Sequence, residues 1–209
     1  MNIPTKITTA RIVLVAGLLA FLFVVSVIPG YSAPMVGGTP INWVYLSAFI
    51  VFVIAASTDY VDGYLARRWN QVTDLGKFLD PIADKLLVNS MLIFLAVPWG
   101  FASSQTILIP AFCVIVMIAR DLVVDALRLI AVQKNQVIAA NIFGKMKTVF
   151  QMVAIPAVML NGWPFSYFDA SWGPWRISLI LVYLATAMSL LSGVIYVVQN
   201  RGVLKQEKK

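Results

Sequence analysis

The sequence predicts an all-α integral membrane protein: a bundle of six transmembrane helices with both termini in the cytoplasm. Hydrophobic residues make up 60% of the 209 and charged residues only 12%, with a mean hydropathy of +0.86, which is too apolar for a soluble domain. Six apolar runs long enough to serve as spans are separated by loops or polar connections. Of sixteen Lys and Arg residues, only Arg176 belongs to the far side; the others fall at the termini, the second-to-third connection and the fourth-to-fifth connection. That asymmetry places the termini in the cytoplasm. Eight of the nine acidic residues lie on the same side, Asp169 being the exception.

The chain opens with a short polar segment, Met1 to Thr9, without a signal-peptide cleavage pattern. A first span is expected from roughly Ile12 to Ile28, extendable by one turn at its start, followed by an uncharged Gly/Pro-rich loop through Pro40. The run from Ile41 to Ala56 continues to Arg68 without a breaker except Gly63, which predicts one long second helix. Helix three is expected from Lys77 or Phe78 to about Val97, with Pro81 in its first turn, where a missing N–H costs least. Helix four is expected from Gln105 to Ala131, helix five from Lys145 to Leu160 and helix six from Arg176 to Gln199, before a basic tail from Arg201 to Lys209. Trp43, Trp99, Trp163, Trp172 and Trp175 all fall on the far side, as interface anchors do. No internal repeat is evident, so residues 1–209 are read as a single membrane domain.

Five of the nine acidic residues lie between Asp59 and Asp84. Asp59 and Asp62 are three apart and Asp80 and Asp84 four apart, so each pair presents both carboxylates on one helix face. Two such faces turned together repel unless divalent cations neutralise them. Oxygen donors suit Mg²⁺, Mn²⁺ or Ca²⁺ rather than zinc, and the chain has no His and one Cys. Gly63, Ala66 and Gly76 allow close approach to backbone, and Arg67 supplies a fork of donors for phosphate. The combination describes a diphosphate site. A net charge of +7 without a soluble basic domain points to anionic membrane surfaces and substrates, and not to nucleic acid.

The stretch DYVDGYLAR, followed after eight residues by GKFLDPIAD, matches D-x2-D-G-x2-A-R-x8-G-x3-D-x3-D at all eight fixed positions. It resembles the CDP-alcohol phosphotransferases. The opening MNIPTKITTAR, the segment IARDLVVDALR and the segment ANIFGKMKTVFQ are most similar to the phosphatidylglycerophosphate synthase branch of that family. The resemblance implies transfer of the phosphatidyl group of CDP-diacylglycerol to sn-glycerol 3-phosphate at the bacterial inner membrane, with the active site facing the cytoplasm. It also implies two Mg²⁺ or Mn²⁺ ions ligated by Asp59, Asp62, Asp80 and Asp84, with Asp84 as general base. Gly63, Ala66, Arg67 and Thr73 match the family's CDP-binding positions, with Thr5 and Thr8 contributing from the N-terminal segment. Relatives usually have Asn at the position of Thr5 and more often Glu at that of Asp121. A phosphomonoester acceptor requires a second basic pocket, for which Arg120, Arg128 and Lys145 are the candidates, with Lys147 and Thr148 behind them.

Other readings stay open at this point. Synthases of phosphatidylserine, phosphatidylinositol phosphate and cardiolipin share the core motif. Intramembrane prenyltransferases also hold Mg²⁺-diphosphate on paired Asp motifs but are expected to lack the D-G-x2-A-R element, and an ion transporter would place its acids mid-span. Asp74 reads as a cap or solvated charge, Arg68, Lys77 and the tail lysines as positive-inside anchors, and Lys85 as either an aspartate's partner or a snorkelling anchor. Cys113 reads as a packing residue, and a homodimer is compatible with such a bundle.

Overall fold

The computed structural model describes residues 3–68, 73–102, 107–134, 136, 142–164 and 176–204; side chains are described for all of these except 3, 4, 60, 62, 65–67, 74, 75, 77, 203 and 204. Six long helices occur among the described residues: α1 (Ile3–Val27), α2 (Trp43–Arg68), α3 (Asp74–Ala96), α4 (Ala111–Gln133), α5 (Ile142–Met159) and α6 (Ile177–Gln199). A short α7 (Arg201–Leu204) follows, inside what the sequence suggested was only a basic tail. Apart from one bridge pair, Met35 with Asn42, no strand occurs among the described residues. Among the described residues, three segments are long and apolar enough to cross a membrane: Thr5–Val27, Ile142–Met159 and Ile177–Gln199. The apolar part of α2, Trp43–Asp59, is shorter. Large apolar side chains such as Val13, Phe23, Phe112, Val149 and Val194 point outward and are exposed. A helix apolar on its outer as well as its inner face belongs in lipid.

The buried stripes explain how the helices meet. On α1 the buried positions are Thr5, Thr8, Arg11, Val15, Leu18, Leu22 and Val25, a spacing of three and four that forms one continuous face. Its first third is polar and the rest apolar. On α2 the buried Tyr45, Ala48, Phe52 and Ala55 lead by the same spacing to Asp59. On α3 the stripe Leu95, Met91, Leu87 leads back toward Asp84 and Asp80. The most extensive helix contact is α5 against α6, followed by α1 against α2, α4 against α6 and α1 against α3. Ala185, Ser189 and Ser192 on the buried face of α6 are small enough for close approach.

Several boundaries differ from those expected. Helix α1 starts at Ile3 and not near Ile12, because Pro4 fits a first helical turn and the polar residues that follow find partners on α2 and α3. Helix α3 starts at Asp74 and not at Lys77 or Phe78: Thr73 is its N-cap, with Oγ1 accepting a hydrogen bond from Gly76 N at 3.0 Å. Pro81 consequently sits inside α3 and not in its first turn, and deprives the carbonyl one turn earlier of its helical donor. Helix α4 starts at Ala111 and not at Gln105, since Pro110 disfavours helical backbone in the residue before it. There Ile109 N donates to Leu95 O at 3.0 Å. Helix α5 starts three residues before Lys145.

At the end away from the acidic residues, Tyr45, Phe94, Trp99 and Phe101 pack as an aromatic cluster. The Trp99 indole donates to Phe94 O at 2.9 Å, so Trp99 is a packed residue, whereas Trp43 and Trp163 are about half exposed. Trp172 and Trp175 lie outside the described residues. Asn161 closes α5 in the left-handed conformation (φ 51°) and donates from Nδ2 to Pro40 O at 3.0 Å, tying this end to the α1–α2 loop. The start of α2 is secured by buried Asn42, whose Oδ1 accepts from Val44 N at 2.8 Å and Tyr45 N at 3.1 Å. Replacing Asn42 by Ala removes this cap and is expected to destabilise the protein by about 1–2 kcal/mol. Asp, which caps equally well, should cost less; thermal unfolding in detergent distinguishes the two.

Candidate active site

Three helices build an acidic corner. From α1, Thr8 donates to Asp80 Oδ1 at 2.8 Å, and Arg11, only 3% exposed, forms an ion pair through Nη1 with Asp59 on α2. The second guanidinium nitrogen, Nη2, lies 4.0 Å from Asp80 Oδ1 on α3. One buried guanidinium thus holds a carboxylate from each of two helices, while the carboxylates themselves remain about half exposed. Next to them the Thr5 and Thr73 hydroxyls share a hydrogen bond of 2.8 Å, which joins α1 to the cap of α3. Arg11 was not singled out from the sequence, although the polar spacing 5, 8, 11 at the head of an apolar helix marks it.

One turn further along α3 begins a cavity of about 270 Å³ lined by α3, α4, α5 and α6. It collects Arg120, Arg128, Lys145, Lys147 and Thr148, the five residues expected from sequence to bind the acceptor, together with Asp84. Lys147 is buried and donates to both oxygens of Asp121, at 2.8 and 2.7 Å. Arg120 Nη1 donates to Asp121 Oδ1 at 3.0 Å, and its Nη2 donates to Ser192 on α6. Arg128 Nε donates to the Tyr196 hydroxyl at 3.1 Å and its guanidinium lies over that ring, 5.7 Å from the centroid. Thr148 Oγ1 is bonded within its own helix, to Gly144 O at 3.1 Å. Lys85 pairs with Asp125, which decides its role between aspartate partner and snorkelling anchor. Five cationic side chains against three carboxylates leave the cavity wall with an excess of two positive charges.

Asp84 belongs to both parts. It lines the cavity, and it interacts electrostatically with Asp59 and Arg11 on one side and with Lys147 and Asp121 on the other. Asp59 and Asp80 meet at Arg11, and Asp84 stands one turn after Asp80 on the same face of α3. The side chains of Asp62, Ala66 and Arg67 lie outside the described part of the chain, and Gly63 lies in the last turns of α2. Among the described residues no three acidic, His or Cys side chains converge at metal-binding distance. The donors near Arg11 are all oxygens, and Cys113 is buried in the core, so the chemistry fits a hard divalent ion and not a thiophilic one.

Comparison with known proteins gives this arrangement a class. The family model of the CDP-alcohol phosphatidyltransferases matches residues 1–198, and the chain belongs to that family. Members of the family generally use divalent metal ions. The chain is 38% identical over 204 residues to a Bacillus subtilis protein named CDP-diacylglycerol–glycerol-3-phosphate 3-phosphatidyltransferase, covering 98% of this chain and 97% of that one. Proteins of the same name in Mycoplasma pneumoniae (34% over 218 residues; 100% and 91% covered) and Salmonella choleraesuis (35% over 196 residues; 93% and 88% covered) are similarly related.

Two glycines make room for Arg120. A Cβ on Gly193 would lie 2.9 Å from Arg120 Cγ, and one on Gly144 would lie 3.2 Å from Arg120 Nη2 and 3.4 Å from Ser192 Oγ. The Cγ is close to the backbone and cannot swing away as a side-chain tip can. Gly193→Ala is therefore expected to destabilise by about 1–3 kcal/mol through overpacking. Gly17→Ala on α1, where a Cβ meets nothing within 4 Å, should instead gain up to about 1 kcal/mol from helix propensity. Equal unfolding temperatures for the two variants would show that Arg120 is not held by α6.

Proposed function

We propose that this protein transfers the phosphatidyl group of CDP-diacylglycerol to sn-glycerol 3-phosphate, giving phosphatidylglycerophosphate and CMP. What carries this assignment is the position of Asp84 between an acidic corner and a cavity with two excess positive charges. A phosphomonoester dianion matches that excess, whereas serine, which carries no net charge, does not. The names of the full-length relatives support the same acceptor.

Asp59, Asp62, Asp80 and Asp84 are the ligands for two divalent ions, Mg²⁺ or Mn²⁺. When bound, such ions neutralise the diphosphate and the charge that develops as CMP leaves. Gly63, Ala66, Arg67 and Thr73 line the nucleotide side. Thr5 and Thr8 reach it from α1, held in place by their bonds to Thr73 and Asp80. Arg120, Arg128, Lys145, Lys147 and Thr148 receive the acceptor's phosphate. A primary hydroxyl oxygen of the acceptor then forms a bond to the lipid-side phosphorus while the phosphorus–oxygen bond to CMP breaks. The hydroxyl proton passes to an oxygen of Asp84, and no covalent enzyme intermediate is required.

The chain works as one domain over residues 1–209, with six spans in the bacterial inner membrane and both termini and the active site cytoplasmic. The diacylglycerol tails remain in the bilayer between helices.

Purified protein given CDP-diacylglycerol should release CMP with glycerol 3-phosphate, and not with serine, inositol 1-phosphate or phosphatidylglycerol. The reaction should stop with a chelator and resume with Mg²⁺ or Mn²⁺. Turnover with another acceptor alone would sink the acceptor assignment. Asp84→Asn should lower kcat by about 100-fold or more while CDP-diacylglycerol still binds; a near-normal rate would remove Asp84 as the base.

A further inference from the structure

The inner wall of the basic cavity contains a polar side chain to which neither the sequence nor the proposed reaction has given a task. Gln151 is 3% exposed and lines the cavity together with Asp84, Arg120 and Lys147. It stands four residues after Lys147 on α5, so both side chains share one face, with Gln151 one turn further along the helix. Lys145, Thr148 and Arg128 are exposed, whereas Lys147 and Gln151 are buried, which gives the cavity a charged mouth and a polar floor. The Lys147 ammonium is committed to Asp121. Gln151 Nε2 is not committed: it has no hydrogen-bond partner among the described residues.

A buried amide donor without a partner is destabilising, and an apolar side chain of the same shape would pack there at no such cost. A donor kept at the floor of a binding cavity therefore implies an acceptor atom supplied by the ligand. Nε2 itself is buried, and the torsion of a terminal amide is soft enough for it to turn toward a ligand in the cavity. The inference that follows rests on glycerol 3-phosphate being the substrate. That molecule carries its phosphate at one end, the reacting primary hydroxyl at the other, and a secondary hydroxyl between them. With the phosphate on the cationic residues and the primary hydroxyl at Asp84, the secondary hydroxyl is the one group left to be read.

We propose that Gln151 is a specificity-determining residue whose Nε2 donates a hydrogen bond to the secondary hydroxyl of the acceptor, and so orients the primary hydroxyl toward Asp84. The interaction belongs to the acceptor's carbon skeleton and not to its phosphate. Its loss should therefore remove discrimination between polyol and deoxy acceptors without affecting phosphate recognition.

The test uses full-length enzyme in detergent with CDP-diacylglycerol and two acceptors, glycerol 3-phosphate and 3-hydroxypropyl phosphate, which lacks only the secondary hydroxyl. The wild-type protein should prefer glycerol 3-phosphate by roughly 10- to 100-fold in kcat/KM, since a site built to bond a hydroxyl is left unpaired by the deoxy analogue. In Gln151→Met the preference should fall to within about 3-fold, through a slower reaction with glycerol 3-phosphate. Gln151→Leu, which also lacks the donor and adds no charge, should behave alike and serves if the Met variant does not fold. Because no group among the described residues bonds to Nε2, the unfolding temperature of ligand-free Gln151→Met should equal or exceed that of the wild type. A variant that keeps the full preference, or one that loses rate equally on both acceptors with a lowered unfolding temperature, would overturn the inference alone. If the wild-type enzyme turned over neither acceptor, the substrate assignment would fall, and this inference with it.

Discussion

A charge inside an apolar bundle must be matched by an opposite charge within reach, and the whole charged half of this protein is arranged to meet that requirement. Arg11 is nearly inaccessible on a helix that is otherwise apolar, and its counter-charges come from two other helices, Asp59 and the more distant Asp80. Lys147 is buried on α5 and finds both oxygens of Asp121 on α4. Neither cation can be buried by its own helix, so each pairing fixes the approach of neighbouring helices as firmly as the apolar contacts do. Removing one partner would strand the other in a medium that solvates it poorly. The pairing therefore specifies geometry more than it adds stability.

The same requirement links the core to the site. Each buried stripe runs from apolar residues at the far end to functional ones near the charged end: Leu22 to Thr5 on α1, Phe52 to Asp59 on α2, Met91 to Asp84 and Asp80 on α3, Val158 to Gln151 and Lys147 on α5. A helix that packs its apolar stripe correctly has no freedom left in where its polar residues point. Rigid helices hold site residues more accurately than loops do. Glycines at 193 and 144 complete this by leaving space beside the Arg120 stem and its guanidinium, respectively.

The separation of the two charges around α3 has a chemical consequence. An acidic environment and a cationic one would cancel if they overlapped. Here they occupy neighbouring positions around the helix, and Asp84 stands between them. In the cavity, Asp121 and Asp125 are spent on Lys147, Arg120 and Lys85, so the remaining positive charge is open to the cavity.

By itself the amino-acid sequence determined the helical class, the membrane setting and the family, because each depends on composition, helical period or residues close in the chain. The eight-position motif spans one helix end, a connection and the next helix start, and all of its spacing is local. Basic residues at the ends of apolar runs also marked Arg120, Arg128, Lys145 and Lys147, which with Thr148 line one cavity. Helix starts were read less well. The polar opening of α1 looks like a tail until its partners, 48 to 72 residues away, are brought alongside. Only the tertiary structure decided that Arg11 serves Asp59, that Lys85 serves Asp125, that Ser192 and Gly193 hold Arg120, and that Gln151 keeps an unpaired donor in the cavity. These depend on which helices are neighbours, and an apolar stripe states that a helix has a neighbour without naming it.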